Sequence, residues 1–139
     1  MIEFDSQNNF EFSSPKNYIE WLNRVADSEN CSIKSLNYVF CSDEFLLDIN
    51  QQHLNHDTFT DIITFDYSVD DVLEGEIYIS TDRVNENAFI YNVSQDDELR
   101  RVMVHGLLHM IGYGDKTDEE SAKMRLLESQ KMQMFHVKQ

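Results

Sequence analysis

The stretch His105-Gly-Leu-Leu-His109-Met-Ile-Gly112-Tyr-Gly-Asp115 sets two imidazoles and one carboxylate at a spacing that can close on a single metal ion. Side chains four residues apart on a helix share one face, with Cβ atoms about 5–6 Å apart, so His105 and His109 can reach the same ion. Gly112 predicts the end of that helix, because glycine adopts the left-handed C′ conformation at no steric cost. The turn is expected to carry Asp115 toward the imidazoles.

Two histidines and one carboxylate form a three-ligand set that leaves a coordination position open for water, as in catalytic rather than structural zinc sites. Zinc-bound water has a pKa of about 7, which supplies hydroxide at neutral pH. A histidine pair on a core helix is the alternative that the bare H-x-x-x-H spacing leaves open. The glycine and the third ligand beyond it favour one Zn²⁺ held by His105, His109 and Asp115, and hence a metal-dependent hydrolase.

The helix that carries the motif is predicted to start after Ser94. Ser94 and Asp97 form a capping-box pattern, and Asp96 and Glu98 favour the positive end of the helix dipole. The apolar residues of this helix are Leu99, Val102, Met103, Val104, Leu107, Leu108, Met110 and Ile111. A helix that is apolar nearly all round is expected to be central and buried, so its imidazoles need a metal, a carboxylate or water as partner.

The rest of the chain predicts an α+β domain. Extended segments are predicted at residues 2–4, 10–12, 33–40, 62–67 and 76–79, where β-branched and aromatic residues concentrate. The segments 62–67 and 76–79 are expected to pair as a hairpin or as neighbours. The other helices are predicted at about residues 15–26, from residue 42, at 80–91 and at 117–134.

Each of these helices has an apolar side that is expected to face the core. The side chains expected to point inward are Tyr18, Ile19, Leu22, Val25, Phe45, Leu46, Ile49, Val84, Ala88, Phe89, Met124, Leu127 and Met134. The closing residues 135–139 are expected to fray, as chain termini commonly do.

Composition limits the function classes. A length of 139 residues with 41% hydrophobic residues fits one domain over residues 1–139. No apolar run approaches the roughly 20 residues of a membrane span, and the first residues lack a signal pattern, so we expect a cytoplasmic protein without a membrane partner. Cys31 and Cys41 are expected to be buried reduced thiols rather than a disulfide.

The net charge of −15, from 26 acidic and 11 basic residues, opposes contact with a phosphate backbone over much of the surface. Acidic surfaces also keep small proteins soluble, which accounts for most of these side chains. Any nucleic-acid role must therefore rest on local cations and on the metal. Arg83, Arg100 and Arg101 are the cations considered for an RNA backbone, although salt bridging on helix surfaces is the default for all three.

Position 106 argues against one class of hydrolase. In zinc peptidases of the H-E-x-x-H type, the glutamate after the first histidine is the general base. Gly106 occupies that position, so the spacing of the extended peptidase pattern is present without its base. A zinc peptidase is therefore disfavoured.

Three further motifs accompany the histidine motif in a fixed order. They are T-D-I-I-T-F at 60–65, G-E-I-Y-I-S at 75–80 and M-R-L-L-E at 124–128, around H-G-L-L-H-M-I-G-Y at 105–113. Together they resemble the YbeY family of bacterial rRNA maturation factors, described as single-strand-specific, metal-dependent endoribonucleases. The resemblance implies a zincin-like domain, with a small mixed β-sheet packed against about five helices.

The resemblance also implies a function. It implies an endoribonuclease that acts on single-stranded rRNA, in maturation of the 16S rRNA 3′ end and in ribosome assembly. The implied partners are rRNA and the ribosomal subunit, and no small-molecule cofactor is expected. A non-catalytic ribosome-associated assembly factor with a structural zinc is the main alternative.

Two positions depart from the family pattern. Asp115 stands where the family usually has a histidine as third ligand. Carboxylate oxygen binds zinc at about the distance of imidazole nitrogen, so ligation is retained, but an anionic ligand should make the metal a weaker Lewis acid. Aligning a family asparagine with Asn50 places Leu54 where the family has an arginine, so a proposed phosphate contact is missing. The acidic surface and Leu54 favour the non-catalytic alternative.

The proton-transfer group stays open. The metal could polarise a non-bridging oxygen, activate water or neutralise the leaving alkoxide, and the sequence does not decide among these. Thr60 and Lys116 are the catalytic candidates; their alternatives are a strand-end hydrogen bond and a solvated side chain. Asp61 is expected to cap a strand end rather than to orient a histidine N–H.

Overall fold

The computed structural model describes residues 1–53 and 60–136. In chain order these residues form β1 (Ile2–Ser6), α1 (Pro15–Ser28), β2 (Ser32–Cys41), α2 (Asp43–His53), β3 (Ile62–Asp66), β4 (Val72–Ser80), α3 (Thr81–Tyr91), α4 (Gln95–Ile111), α5 (Asp118–Gln133) and a short 3₁₀ helix (Met134–His136). The predicted α+β class, with a small sheet and five helices, is confirmed. Residues 10–12, predicted to be extended, lie outside the sheet.

The sheet is mixed and has the strand order β1-β2-β4-β3. Strands β1, β2 and β4 are parallel, whereas β3 runs antiparallel to β4 and closes one edge as a hairpin. Of the two pairings left open by the sequence, the hairpin is therefore the one that forms. Gly75 makes the close pairing feasible, since a Cβ atom there would lie 2.3 Å from the carbonyl oxygen of Phe65.

Helix α4 packs across the sheet and contacts α3 and α5 as well. Its buried apolar residues are Leu99, Val102, Met103, Val104, Leu107, Leu108 and Met110. The helix approaches the sheet at Gly106, where a Cβ atom would lie 2.9 Å from Cδ1 of Ile62 and 3.0 Å from Cδ1 of Ile77. Ser94 caps the start of α4, and Gly112 ends it with φ 126°. The predicted central, buried helix is confirmed.

Two aromatic side chains predicted to face the core are exposed instead. Phe89 is 89% exposed and Phe45 is 39% exposed, whereas their neighbours Ala88 and Leu46 are buried. A helix turns about 100° per residue, so the side chain next to the centre of a buried face can already point to solvent. The prediction was wrong for Phe89 and Phe45 because the apolar residues alone did not fix the centre of that face.

The last described residues are packed rather than frayed. The ring centroid of Phe135 lies 4.9 Å from that of Tyr18 and 5.3 Å from that of Trp21. The guanidinium carbon of Arg100 lies 4.1 Å from the centroid of Phe135. The expectation of fraying was therefore wrong for residue 135, because α1 and α4 provide a surface that the local sequence does not show. Residues 137–139 lie outside the described residues.

The helices and the cysteines of the described residues bear on two further expectations. None of their helices combines the length and the apolar character needed to cross a bilayer. Cys31 and Cys41 are free thiols, with Cys41 buried and Cys31 half-buried. Burial raises the pKa of Cys41 to about 12, which keeps this thiol protonated and unreactive.

Phe135 and Phe89, two of the three misassigned phenylalanines, give a matched test of the packing. Phe135→Ala should lower the free energy of unfolding by about 2 kcal/mol, somewhat less than truncation of a fully buried phenylalanine. Phe89→Ala should change it by less than about 0.5 kcal/mol, because that ring is exposed. Urea unfolding monitored by circular dichroism measures both values. Equal effects of the two substitutions would contradict the packing of the C-terminal segment.

Candidate metal centre

The structure brings the three predicted ligands to one point. Nε2 of His105 lies 3.0 Å from Nε2 of His109, and each nitrogen lies 3.4 Å from Oδ2 of Asp115. Metal–ligand distances of about 2.0–2.1 Å in a tetrahedral zinc site separate the ligand atoms by about 3.3–3.4 Å. The triangle of donor atoms therefore has the size that one zinc ion requires. Metal binding by these residues stays a prediction.

Asp115 reaches the histidines because the chain reverses directly after α4. The backbone N–H groups of Gly112 and Tyr113 donate to the carbonyl of Leu108, which closes the helix end. On the other side, Oγ of Ser121 in α5 donates to the carbonyl of Asp115 at 2.9 Å. The turn is thus held from both helices. The Asp115 side chain is 41% exposed, so the site opens to solvent on this side.

The start of α5 fixes the same turn. Thr117 and Glu120 form a complete capping box. Glu120 Oε1 also accepts the backbone N–H of Lys116 at 3.1 Å. The Lys116 residue is exposed, and its contact here is made by the backbone. A catalytic role for its side chain stays a prediction.

Each imidazole Nδ1 has a neighbouring oxygen acceptor, and this contact assigns the ring proton to Nδ1. Nδ1 of His109 is 2.9 Å from the carbonyl oxygen of Tyr113. A carbonyl only accepts, so Nδ1 carries the proton and Nε2 of the neutral ring is left with its lone pair. Nδ1 of His105 is 2.6 Å from Oε2 of Glu128, and the same reasoning applies to a carboxylate acceptor.

Two lone pairs and one carboxylate oxygen therefore face each other at the centre of the triangle. With both Nδ1 atoms protonated, neither neutral ring has a proton to place between the two Nε2 atoms. Three electron-rich atoms this close repel one another unless a cation lies among them. The donor set thus fits a divalent metal such as zinc, which binds imidazole nitrogen and carboxylate oxygen.

Behind His105 lies a group of buried charges. Glu98 and Glu128 are 2% and 3% exposed, and Arg101 lies between them. Nε and Nη2 of Arg101 donate to the two carboxylate oxygens of Glu98 at 2.9 and 2.8 Å, and Nη1 donates to Oε1 of Glu128 at 3.3 Å. The hydrogen bond with Glu98 is the main reason that the pKa of Arg101 rises further above its ordinary value.

The arginines considered for RNA contact are engaged in salt bridges. Arg101 is bound as described above, Arg83 pairs with Asp43 at 2.8 Å and Arg100 pairs with Asp97 at 3.2 Å. The default expectation of salt bridging is therefore confirmed for all three.

Other residues considered in the sequence analysis form contacts of their own. Thr60 Oγ1 donates to the carbonyl of Ile62 at 3.3 Å, which is the strand-end hydrogen bond named as its alternative. Burial raises the pKa of Asp61, against the opposing charge of Arg101, and Oδ2 of Asp61 lies 3.7 Å from Nη2 of Arg101. Neither imidazole Nδ1 is bonded to Asp61. Leu54 lies outside the described residues.

Glu128 is the residue that sequence reasoning missed. It was part of the M-R-L-L-E motif at 124–128, but no role was assigned to it. Its partner His105 is far away along the chain, so no local pattern could have paired them. A charged residue in the buried stripe of the last helix, beside Met124 and Leu127, was the available signal.

A recess of about 100 Å³ adjoins the triangle. Its polar lining comes from Arg101, His105, Asp115, Ser121, Arg125 and Glu128. Arg125 is exposed and forms no salt bridge with any residue that the structure describes. The recess therefore combines two of the candidate metal ligands, His105 and Asp115, with one arginine that is available to an anion.

The fold and the site together define a class. A mixed sheet crossed by a buried helix, with two imidazoles and a carboxylate converging beside an open recess, is the arrangement of a metal-dependent hydrolase. Comparison with known proteins gives the family within that class.

A family model described as Endoribonuclease YbeY matches residues 2–136. The Endoribonuclease YbeY of Flavobacterium psychrophilum is 51% identical over 139 residues, covering 100% of this chain and 99% of the relative. That of Flavobacterium johnsoniae is 45% identical, with 100% of both chains covered. The solution structure of TM1509 from Thermotoga maritima matches with a TM-score of 0.69 and 29% identity, covering 97% of this chain and 89% of that one. This chain belongs to the YbeY family.

The ligand set predicts a specific loss of metal. Asp115→Ala should weaken zinc binding by more than about 100-fold, since loss of a direct ligand should exceed the 10- to 100-fold cost of losing an outer partner. Asp118→Ala removes the same charge three residues away and should leave the affinity within about threefold. Competition with a chromophoric chelator measures both. Equal zinc affinity in the two variants would rule out Asp115 as a ligand.

Proposed function

We propose that this chain is a zinc-dependent endoribonuclease that cuts single-stranded rRNA during maturation of the 16S rRNA 3′ end and ribosome assembly. The observation that carries the proposal is the triangle of two Nε2 atoms and Asp115 Oδ2, with edges of 3.0 and 3.4 Å, beside an open recess. Membership of a family whose relatives are named Endoribonuclease YbeY supports RNA as the substrate.

Different residues of the chain would have different roles in such a reaction. His105, His109 and Asp115 would hold zinc, which when bound would supply Lewis acidity for phosphodiester hydrolysis. Asp115 contributes a negative charge where a neutral histidine would not, so it would lower the Lewis acidity of the bound metal. Thr60 and Lys116 are the proposed candidates for proton transfer. Arg125 is placed to hold a phosphate of the substrate, as a guanidinium pairs well with phosphate oxygens.

The exposure of the ligands favours catalysis over a structural metal. Structural zinc sites are closed by four protein ligands, whereas catalytic sites keep a position for water. His109 and Asp115 have side chains 31% and 41% exposed, and the described residues offer three clustered ligands. This supports the nuclease over a non-catalytic assembly factor with a structural zinc.

The packing around Gly106 is a further argument against a zinc peptidase. Gly106 faces Ile62 and Ile77 in the sheet, and a Cβ atom there would already lie 2.9 Å from a neighbour. A glutamate at this position could not be accommodated without moving α4 away from the sheet. The close packing of α4 on the sheet therefore explains why position 106 has no glutamate that could act as general base.

The proposal extends to organisation and setting. The family match over residues 2–136 supports a single metal-dependent hydrolase domain over residues 1–139. The proposed partners are rRNA and the ribosomal subunit, and the proposed location is the cytoplasm, where that substrate is found. An acidic protein with a net charge of −15 would bind RNA at one local site rather than over its surface.

Metal removal should separate the candidate functions. Zinc-loaded protein should cut a single-stranded rRNA fragment and leave casein intact; chelation or Asp115→Ala should abolish the cut, and added zinc should restore only the unsubstituted protein. Gel electrophoresis of both substrates measures this. Casein cleavage would establish the peptidase. RNA cleavage that survives in the Asp115→Ala variant would refute the metal mechanism.

Arg125 should affect RNA without affecting the metal. Arg125→Ala removes a charge-assisted contact worth about 1.5–3 kcal/mol, so RNA affinity should fall by about 10-fold or more while zinc affinity is unchanged. Lys16→Ala removes an equal charge from the exposed side of α1 and should have little effect. Fluorescence anisotropy with a non-cleavable oligonucleotide gives both affinities. Equal losses in the two variants would point to general electrostatics instead.

A further inference from the structure

The buried carboxylate of Glu128 contacts the face of His105 opposite to the candidate metal position. Its Oε2 lies 2.6 Å from Nδ1 of His105, and its side chain is 4% exposed. We propose that Glu128, itself oriented by Arg101 and Glu98, is a positioning residue that fixes the tautomer of His105 and so keeps Nε2 free for the metal. The inference rests on the metal site of the proposed function and concerns the state of the protein before metal binds.

The chemistry of the acceptor is the first step. An ionised carboxylate has no proton to donate, so its hydrogen bond to Nδ1 requires the proton to lie on Nδ1. In the neutral ring, Nε2 then has its lone pair, which points at the triangle. Burial makes this preference strong, because the low dielectric strengthens the bond and excludes water as an alternative partner.

Arg101 determines which carboxylate oxygen meets His105. Two of its nitrogens are fixed by both oxygens of Glu98, at 2.8 and 2.9 Å, in a bidentate pair. The remaining nitrogen, Nη1, therefore points at Oε1 of Glu128, at 3.3 Å. Oε2 of Glu128 is left for the imidazole. Glu98, Arg101 and His105 follow one another at helical spacing along α4, so this helix presents the whole assembly to α5.

His109 provides an internal reference. Its Nδ1 donates to the backbone carbonyl of Tyr113 at 2.9 Å, and no side-chain substitution removes that acceptor. The tautomer of His109 is thus fixed by the backbone, and that of His105 by a side chain. Only His105 should respond when Glu128 is changed.

Glu128→Gln tests the inference with almost no change of shape. Arg101 can only donate, so it should hold the amide oxygen and turn the amide NH₂ toward Nδ1 of His105. Nδ1 must then accept, and the proton moves to Nε2, into the metal position. Zinc affinity should fall by about 10- to 100-fold, the range found for outer partners of metal ligands. Glu20→Gln, on the exposed side of α1, removes the same charge and should change neither property.

The tautomers are measured in metal-free protein at a pH of about 8.5, about two units above the ordinary pKa of histidine. Long-range ¹H–¹⁵N correlation spectra distinguish protonated from unprotonated ring nitrogens. The unsubstituted protein should show both histidines protonated at Nδ1, and Glu128→Gln should move the proton to Nε2 in His105 alone. Chelator competition then gives the zinc affinity of each variant, and thermal melting checks its fold.

Any other combination of tautomer and zinc affinity would overturn the inference. An unsubstituted protein with His105 protonated at Nε2 would do so even if the variant failed to fold. A variant that loses affinity with an unchanged tautomer would leave Glu128 a merely structural residue, and a changed tautomer with unchanged affinity would separate proton position from metal binding. Failure of RNA cleavage would not affect these readouts, so it can be told apart from failure of this inference.

Discussion

Burial of helix α4 against the sheet is the interaction on which the rest of the structure depends. Fully buried leucines such as Leu107 and Leu108 each contribute about 1.5–3 kcal/mol, and the close approach at Gly106 lets several such side chains pack at once. The same burial constrains the polar residues of the helix. Every charged group that it takes below the surface needs a partner, since an unpaired buried charge is costly. Arg101 meets this requirement by lying between two buried glutamates.

Local sequence determines much of this arrangement, which explains why it could be predicted. The start and the end of α4 depend on Ser94 and Gly112, whose effects extend over a single turn. The spacing of His105 and His109 follows from helix geometry alone. Asp115 could be placed near them because only a short turn separates it from the helix. The predicted ligands are therefore together in the structure, and their use by a metal is a matter for measurement.

Features set by distant parts of the chain escaped prediction. Phe89 and Phe135 are both aromatic residues near helix ends, yet only Phe135 meets a packed surface. The difference depends on where α1 and α4 lie, which periodicity within one helix does not contain. Glu128 is a similar case, because its partner His105 lies on another helix. Sequence patterns predicted the helices, the strands and the candidate metal ligands. The residues placed to orient those ligands depend on contacts between elements that are distant in the sequence.

The charge distribution around the site shows how an acidic protein can still present a site to a phosphate backbone. Glu128 contacts His105, Glu98 pairs with Arg101, and both glutamates are shielded from solvent, with Arg101 offsetting one of their charges. Their remaining negative charge favours a cation at the triangle. A bound divalent ion would offset this charge and that of Asp115, so repulsion of a phosphate would be reduced where the recess opens. Arg125 lines this recess, and its guanidinium forms no salt bridge with any residue that the structure describes. The local field near the recess can thus be favourable to RNA although the net charge of the chain is not, because screening limits the reach of the distant acidic side chains to about 8 Å.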